Sequence, residues 1–187
     1  MPAPKATALL VIDVQESFRH RPGFDPEAIP GFLAEQNALI EGAAARALPI
    51  VRVFHVAPEG VFAPASGHVV PMAGLAGFQP QLEVRKERHS ALAGTGLGAW
   101  LTEHGIGRVI ISGMRTEQCC ETTARAASDA GFEVDFVTGA TLTFAMRHAN
   151  GRTYTPEEIR ERTELVLAGR FASICTVAEA LARSLPQ

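Results

Sequence analysis

One turn between a strand and a helix carries the residue best suited to nucleophilic chemistry. Residues 113–120 join an apolar strand to a helix and end in two adjacent cysteines. With Thr116 as the helix N-cap, Cys119 is the third helical residue, where backbone N–H groups lack helical partners. The helix dipole favours a thiolate there and lowers its pKa, and the same N–H groups can hold an oxyanion. The pattern therefore predicts a nucleophile and its oxyanion donors in one turn.

The other cysteines are predicted to pack rather than react. Cys120 shares a helical face with small alanines, and Cys175 lies in or beside an apolar strand. Free cysteine is often buried, so inert packing is also the alternative for Cys119. A zinc site is not predicted around the pair, because the sequence has no C-x-x-C pattern and no histidine at ligand spacing from these cysteines. A disulfide between them is disfavoured, because neighbouring helical residues point about 100° apart.

Two charged residues stand near the ends of other predicted strands. Asp13 closes an apolar run and is either a turn cap or a buried functional acid. Lys86 lies in the charged run of residues 85–88, which by itself is typical of a solvated face. His89 follows closely and is either a pocket residue or an exposed turn residue.

The chain alternates apolar strands with helices. Strands are predicted at residues 8–12, 50–54, 82–85, 108–113, 132–137 and 171–175. Helices are predicted at residues 31–48, 117–130, 156–168 and 176–184. This order predicts a three-layer α/β/α fold with a mostly parallel six-stranded sheet of Rossmann-like topology. Chemistry in such folds lies at the carboxyl ends of strands, which selects Asp13, the Lys86 region and the cysteine turn.

Two stretches interrupt the alternation. Residues 57–80 hold four prolines and four glycines among apolar residues without a clear period, and residues 144–155 form a second irregular segment. Long loops of this kind are usually lids or binding loops.

The composition excludes several classes of protein. The chain has 187 residues, 47% hydrophobic and 20% charged, with a formal net charge of -3. It lacks the basic excess of a nucleic-acid binder, and no apolar run approaches the ~18 residues of a membrane span. Residues 1–7 lack the order of a signal peptide, and three cysteines, an odd number, suit a reducing compartment. We expect a single domain over residues 1–187, located in the cytoplasm, with neither nucleic acid nor membrane as a partner.

Three segments together resemble the isochorismatase-like cysteine hydrolase family. Residues 8–18 resemble its strand–Asp–x–Gln–x–x–Phe opening, and residues 86–92 resemble Lys–x–x–x–Ser–Ala–Phe, with Leu92 in place of Phe. Residues 113–134 resemble Gly–x–x–Thr–x–x–Cys–Val and the small-residue helix after it, with Cys120 in place of Val. The resemblance extends over nearly the whole chain, and it implies the same three-layer fold.

The resemblance also implies an active site and a mechanism. It implies a catalytic triad of Asp13, Lys86 and Cys119, a cis peptide bond between Met114 and Arg115, and an oxyanion hole from the amides of Arg115 and Cys119. Cys119 attacks a carbonyl, Asp13 moves the proton, and Lys86 pairs with both ionised groups. The expected reaction is hydrolysis of a small amide or related C–N bond through a thioester.

Four residues are expected to contact the substrate: Phe18, His55, His89 and Arg115. Nicotinamidases of the family carry an Asp–x–His metal motif, but here the place of the Asp is taken by Val53. We therefore expect no metal and no other cofactor, and activity that persists in the presence of a chelator.

The sequence does not decide between an enzyme and a binding protein on this scaffold. The alternative function is a non-catalytic binding or assembly protein on the same scaffold. Family members usually form oligomers, so a homo-oligomer is expected, and the loop of residues 57–80 could cover a neighbour's site. The substrate is expected to be a small molecule, which the sequence does not identify.

Overall fold

The computed structural model describes residues 6–184 and contains a six-stranded parallel sheet. Its strands are β1 Ala6–Ile12, β2 Ile50–His55, β3 Leu82–Lys86, β4 Ile106–Met114, β5 Glu133–Leu142 and β8 Ser173–Ile174. The strand order is β3-β2-β1-β4-β5-β8, and every neighbouring pair is parallel. The signal-peptide prediction concerns residues that lie mostly outside this described range.

Five helices cover the two faces of the sheet. They are α1 Ile29–Ala45, α2 Leu97–Glu103, α3 Glu121–Asp129, α4 Pro156–Leu167 and α5 Val177–Arg183. Helices α1 and α5 contribute buried apolar residues to one hydrophobic core, and α2, α3 and α4 contribute buried apolar residues to the other. The predicted three-layer α/β/α fold with a six-stranded sheet is thereby confirmed.

Strand β1 shows why the apolar runs form a sheet buried on both sides. Leu9 and Val11 face the first core, whereas Ala8, Leu10 and Ile12 face the second. All five are at most 1% exposed. A continuous apolar run satisfies both faces of such a strand, whereas an alternating pattern would leave one face polar.

Several predicted boundaries differ from the structure. The helix predicted at residues 117–130 is a π-helical turn followed by α3 from Glu121, and the strand predicted at 171–175 is shortened to Ser173–Ile174. Helix α1 ends at Ala45 rather than at residue 48, because Ala47 has φ of 54° and the Leu48 amide donates back to the Ala43 carbonyl. Strand β5 continues beyond residue 137 to Leu142, which extends the sheet edge beside the cysteine turn.

The two irregular segments are structured differently from each other. Residues 144–155 contain an antiparallel pair, β6 Met146–Arg147 with β7 Thr153–Tyr154, so they are a hairpin rather than an irregular loop. Within residues 57–80 there are two short 3-10 turns, Gly60–Phe62 and Pro64–Ser66.

Among residues 6–184, no helix is both long enough and apolar enough to cross a membrane.

Candidate active site

Three side chains from different strands meet at the carboxyl edge of the sheet. Asp13 directly follows β1, Lys86 is the last residue of β3, and Cys119 lies in the turn after β4. The Lys86 Nζ lies 2.8 Å from Asp13 Oδ2 and 3.3 Å from Cys119 Sγ. The side chains of Asp13 and Lys86 are fully buried. The three residues that the resemblance implied therefore form one contact cluster.

A glycine lets β1 and β4 approach each other beside this cluster. Gly113 pairs with Ile12 and has φ of 121°, and a Cβ there would lie 1.9 Å from the Ile12 carbonyl oxygen. Only glycine fits such a place. Asp13, the residue directly after β1, has φ of 54°, a conformation that Asp adopts more readily than most residues. The peptide bond from Met114 to Arg115 is cis, at the position named by the resemblance.

A single π-helical turn, Thr116–Cys120, presents the Cys119 thiol. The Arg115 carbonyl accepts hydrogen bonds from the amides of Gln118, at 3.1 Å, and Cys120, at 3.2 Å. The amide of Cys119, which lies between them in sequence, is not among the donors to that carbonyl.

The predicted N-cap role of Thr116 is wrong. Arg115 occupies the N-cap, and the buried Thr116 hydroxyl is hydrogen-bonded instead to the Thr141 hydroxyl at 2.8 Å. Thr141 in turn donates to the Thr138 carbonyl at 2.9 Å. The start of the turn is therefore tied to the end of β5.

The Lys86 ammonium donates a third hydrogen bond to His55, whose Nδ1 lies 3.2 Å from Nζ. An ammonium can only donate, so Nδ1 accepts and the ring proton of neutral His55 is on Nε2. Burial and then the positive charges of Lys86, His89 and Arg21 lower the pKa of His55 to about 4. His55 is therefore neutral at neutral pH, which its contact with an ammonium requires.

Burial raises the pKa of two members of the cluster, and charged partners raise that of the third. It raises the pKa of Asp13 despite the opposing charge of Lys86. Burial and then the Asp13 charge raise the pKa of the Cys119 thiol to about 12. For Lys86, burial disfavours the charge, but Asp13 and Cys119 outweigh it, and the pKa is raised.

The expected lowering of the Cys119 pKa by the helix end is thus wrong. The sulfur is buried beside a carboxylate, and both effects oppose a negative charge on it. The thiol is protonated at rest and needs a base in order to attack.

Asp13, His55 and Cys119 each place one possible metal-ligand atom within 4.8 Å of the others. The Lys86 ammonium, however, already contacts all three of these residues. A metal cation there would lie against a fully buried positive charge, so the residues present do not fit a metal ion. The expectation of no metal stays a prediction, which this arrangement favours.

A cavity of about 590 Å³ opens beside Cys119. Its wall includes three of the four predicted substrate-binding residues, Phe18, His55 and His89. The exposed His89 places Nδ1 3.7 Å from Cys119 Sγ. The Phe18 ring lies edge-on to that of Phe62, with centroids 5.1 Å apart.

Arg115 does not join this wall. Its guanidinium lies 2.9 Å from the Glu117 carboxylate and 5.6 Å from the centre of the Phe144 ring. Arg115 is ion-paired with Glu117 and is absent from the residues that line the cavity, so its substrate contact stays a prediction that this arrangement does not support.

Sequence reasoning missed several residues of the site. The Gln15 side chain joins β1 to β2, because its Oε1 accepts from the His55 amide at 2.8 Å and its Nε2 donates to the His55 carbonyl at 3.0 Å. His20, Arg21 and Phe62 line the cavity. The signal that could have found them is their place in loops that follow β1 and β2, where parallel sheets bind ligands.

The other two cysteines are buried and are absent from the residues that line the cavity. Cys120 is fully buried, and burial raises its pKa well above the usual value. The Cys175 Sγ lies 3.6 Å from the Ser173 carbonyl, and burial raises its pKa to about 11.

Another cavity of about 600 Å³, which includes Glu117, contains none of the Asp13, Lys86 and Cys119 side chains.

Comparisons with known proteins agree with this fold. A putative hydrolase of the isochorismatase family from Chromobacterium violaceum ATCC 12472 superposes with a TM-score of 0.86 and 25% identity. The match covers 98% of this chain and 95% of that one. The chain is 41% identical to nicotinamidase 3 of Arabidopsis thaliana over 93 residues, which is 50% of this chain and 41% of the relative. It is 33% identical to streptothricin hydrolase of Streptomyces noursei over 128 residues, 68% of this chain and 46% of the relative.

The aligned segments cover less than half of each of these two named enzymes. The sequence model of the isochorismatase domain family matches residues 7–152, which include Asp13, Lys86 and Cys119. That segment is most of the chain. The chain therefore belongs to the isochorismatase family of hydrolases.

Proposed function

We propose that the chain is a cysteine-dependent hydrolase of a small-molecule amide or a related C–N bond. The observation that carries this proposal is the contact from Cys119 Sγ through Lys86 Nζ to Asp13 Oδ2, at 3.3 and 2.8 Å, on the wall of a cavity. Similarity to a nicotinamidase and a streptothricin hydrolase supports this class of reaction. We further propose that the catalytic residues are Asp13, Lys86 and Cys119.

Acylation begins with transfer of the thiol proton. The thiol pKa of about 12 leaves little free thiolate, so Asp13 takes the proton as Sγ attacks the carbonyl carbon. Asp13 Oδ1 suits this role, since it accepts no N–H or O–H hydrogen bond from the described residues, and the Cys119 thiol interacts with this carboxylate. Lys86 holds Oδ2 and stabilises the negative charge as it moves between the carboxylate and the sulfur.

The tetrahedral intermediate then collapses to a thioester. The backbone N–H groups of Arg115 and Cys119 are the proposed oxyanion donors, each typically worth ~3 kcal/mol. Asp13 protonates the leaving nitrogen as the C–N bond breaks. Water then attacks the thioester carbon, its proton passes through Asp13 to Sγ, and the C–S bond breaks to release the acid and restore the thiol.

Substitution of Cys119 tests the nucleophile. Cys119→Ala and Cys119→Ser are expected to lower ammonia release by at least about 1,000-fold while circular dichroism shows an intact fold. Candidate substrates are found by screening small amides, ureides and carbamoyl compounds for ammonia release, with and without chelator. Cys175→Ala is the control, because Cys175 lies outside the cavity beside Cys119 and its loss should leave turnover unchanged.

Alkylation by iodoacetamide tests the same assignment without a known substrate. Cys119 should be modified far faster than Cys120 or Cys175, because it lies at a cavity beside a base. Peptide mapping by mass spectrometry measures the three rates. Full turnover in Cys119→Ala, or a native Cys119 no more reactive than the two buried thiols, would instead favour a non-catalytic binding or assembly protein.

A further inference from the structure

We propose that the substrate carries a carboxylate, and that Arg21 recognises it at the mouth of the cavity. This inference rests on the proposed function, since it concerns the same cavity and the same nucleophile. It narrows the substrate class from small amides in general to small amides with a separate anionic group.

The first observation is the position of Arg21. It follows the 3-10 turn Glu16–His20 after β1 and lines the cavity that contains Cys119. Its guanidinium carbon lies 5.9 Å from the centre of the Phe18 ring and 5.8 Å from that of Phe62. Both rings also line the cavity, so Arg21 rests on its aromatic wall.

The second observation is that Arg21 lacks an acidic partner. Arg19 pairs with Glu16 at 3.5 Å, and Arg115 pairs with Glu117 at 2.9 Å. Within residues 6–184, no carboxylate lies within ion-pair distance of Arg21. A cation that rests on aromatic rings and keeps its hydrogen-bond donors unpaired is suited to bind a carboxylate.

The third observation is the sign of the charge around the cavity. The positive charges of Lys86 and Arg21 act on His55, which lies in the same wall as Arg21. Asp13 is bound by Lys86, so Glu59 is the one other carboxylate among the described residues that line the cavity, and it is exposed. His55 adds an Nε2–H donor, because its Nδ1 accepts from Lys86. A negative ligand group is favoured in this field.

These observations orient the ligand. The carbonyl of the scissile amide must reach Cys119, which lies at the buried end of the cavity. The carboxylate is then placed towards Arg21, with the body of the ligand against Phe18 and Phe62. A ligand of this kind is a short carboxylate-bearing amide, and a neutral amide of the same length lacks the contact with Arg21.

The test uses two alkylating reagents of nearly equal size. Iodoacetate carries a carboxylate and iodoacetamide is neutral, so the ratio of their rates at Cys119 reports the charge preference of the cavity. Each ratio is divided by the ratio for a free thiol, N-acetylcysteine, in the same buffer. The ratio is measured for the native chain, for Arg21→Gln and for Arg88→Gln. Arg88 is exposed, near Lys86 in sequence and absent from the cavity wall, so its variant removes the same charge elsewhere.

We expect the normalised ratio of the iodoacetate rate to the iodoacetamide rate to exceed one in the native chain. It should fall roughly 3- to 10-fold in Arg21→Gln, because a nearby positive charge that solvent and salt screen only in part is lost. Arg88→Gln should keep the native ratio. A native ratio of one, or a ratio that Arg21→Gln leaves unchanged, would overturn the proposal. If neither reagent modifies Cys119 in the native chain while both modify it in urea, the proposed function fails and the inference fails with it.

Discussion

The two carboxylate oxygens of Asp13 have different surroundings. Oδ2 accepts a hydrogen bond from Lys86 at 2.8 Å, whereas the buried Oδ1 accepts none from an N–H or O–H group of the described residues, and the Cys119 thiol interacts with the same carboxylate. One oxygen therefore fixes the carboxylate, and the other is free to take a proton. This difference between the two oxygens supports the proposed role of Asp13 as the general base.

Asp13→Asn separates this role from a purely electrostatic one. Loss of the negative charge should by itself lower the pKa of the Cys119 thiol, because the carboxylate raises it, and so speed alkylation. Loss of a base should slow it. We expect iodoacetamide to modify Cys119 at least about 10-fold more slowly at neutral pH, in line with the usual contribution of a general base.

The variant is suited to the comparison because Asn tolerates the positive φ of residue 13 and has nearly the same size. Asp129→Asn, on the exposed end of α3, is the matched control and should react like the native chain. Faster alkylation in Asp13→Asn would show that the carboxylate acts only through its charge.

At the scale of elements, a buried carboxylate fastens the cysteine turn to its neighbours. Glu121 directly follows the turn and is the first residue of α3. Its Oε1 accepts from Arg125 at 3.0 and 3.1 Å, and its Oε2 accepts from Arg162 and, at 3.2 Å, from Thr163. Arg162 and Thr163 belong to α4, so Glu121 connects α3, the helix that follows the nucleophile, to α4.

Glu121→Gln should therefore destabilise the fold. The amide would place a donor among the donors of Arg125, Arg162 and Thr163, and the expected loss is about 2–3 kcal/mol of unfolding free energy. Urea denaturation measures this loss. Glu161→Gln, an exposed change on α4, should stay close to the native value. Equal stability of the two variants would contradict the fastening role.

At the scale of the whole molecule, the sheet places all of the proposed chemistry along one edge. Lys86 and His55 pair in register between β3 and β2, so the lysine side chain passes His55 on its way to Asp13. Strands from both ends of the described range, β1 and β8, lie in this one sheet. On that ground we propose that the chain is a single domain.

The stability of the whole fold should depend on pH through His55. Its folded pKa of about 4 lies below the ordinary value of 6.5. Between these values the unfolded chain binds a proton that the folded chain does not, so stability rises with pH over that window and falls as the pH drops through it. As the pH falls from about 7 to about 5, the unfolding free energy of the native chain should drop by about 1–2 kcal/mol more than that of a variant without the His55 imidazole.

Urea denaturation of the native chain and of His55→Gln at both pH values measures this difference. Gln cannot titrate, so its pH dependence lacks the His55 contribution. His104→Gln, an exposed change at the end of α2, is the control and should follow the native chain. Parallel pH dependence in the native chain and His55→Gln would rule out the assignment.

Much of the architecture was determined by local sequence. The unbroken apolar run of β1 requires burial on both faces, and the Thr155 cap with Glu158 fixes the start of α4 by a reciprocal pair of hydrogen bonds. The family segments also located Asp13, Lys86 and Cys119, because residue types at strand ends can be read along the chain.

Only the tertiary structure decided how these residues behave. The thiol pKa rises rather than falls, because burial and the distance to Asp13 depend on how β1 and β4 pack. Arg115 turns to Glu117, and Arg21 reaches the cavity, through contacts that no spacing in the sequence specifies. Segments far apart in the chain set the dielectric surroundings and the charge partners of each group, so protonation and ligand preference are properties of the fold.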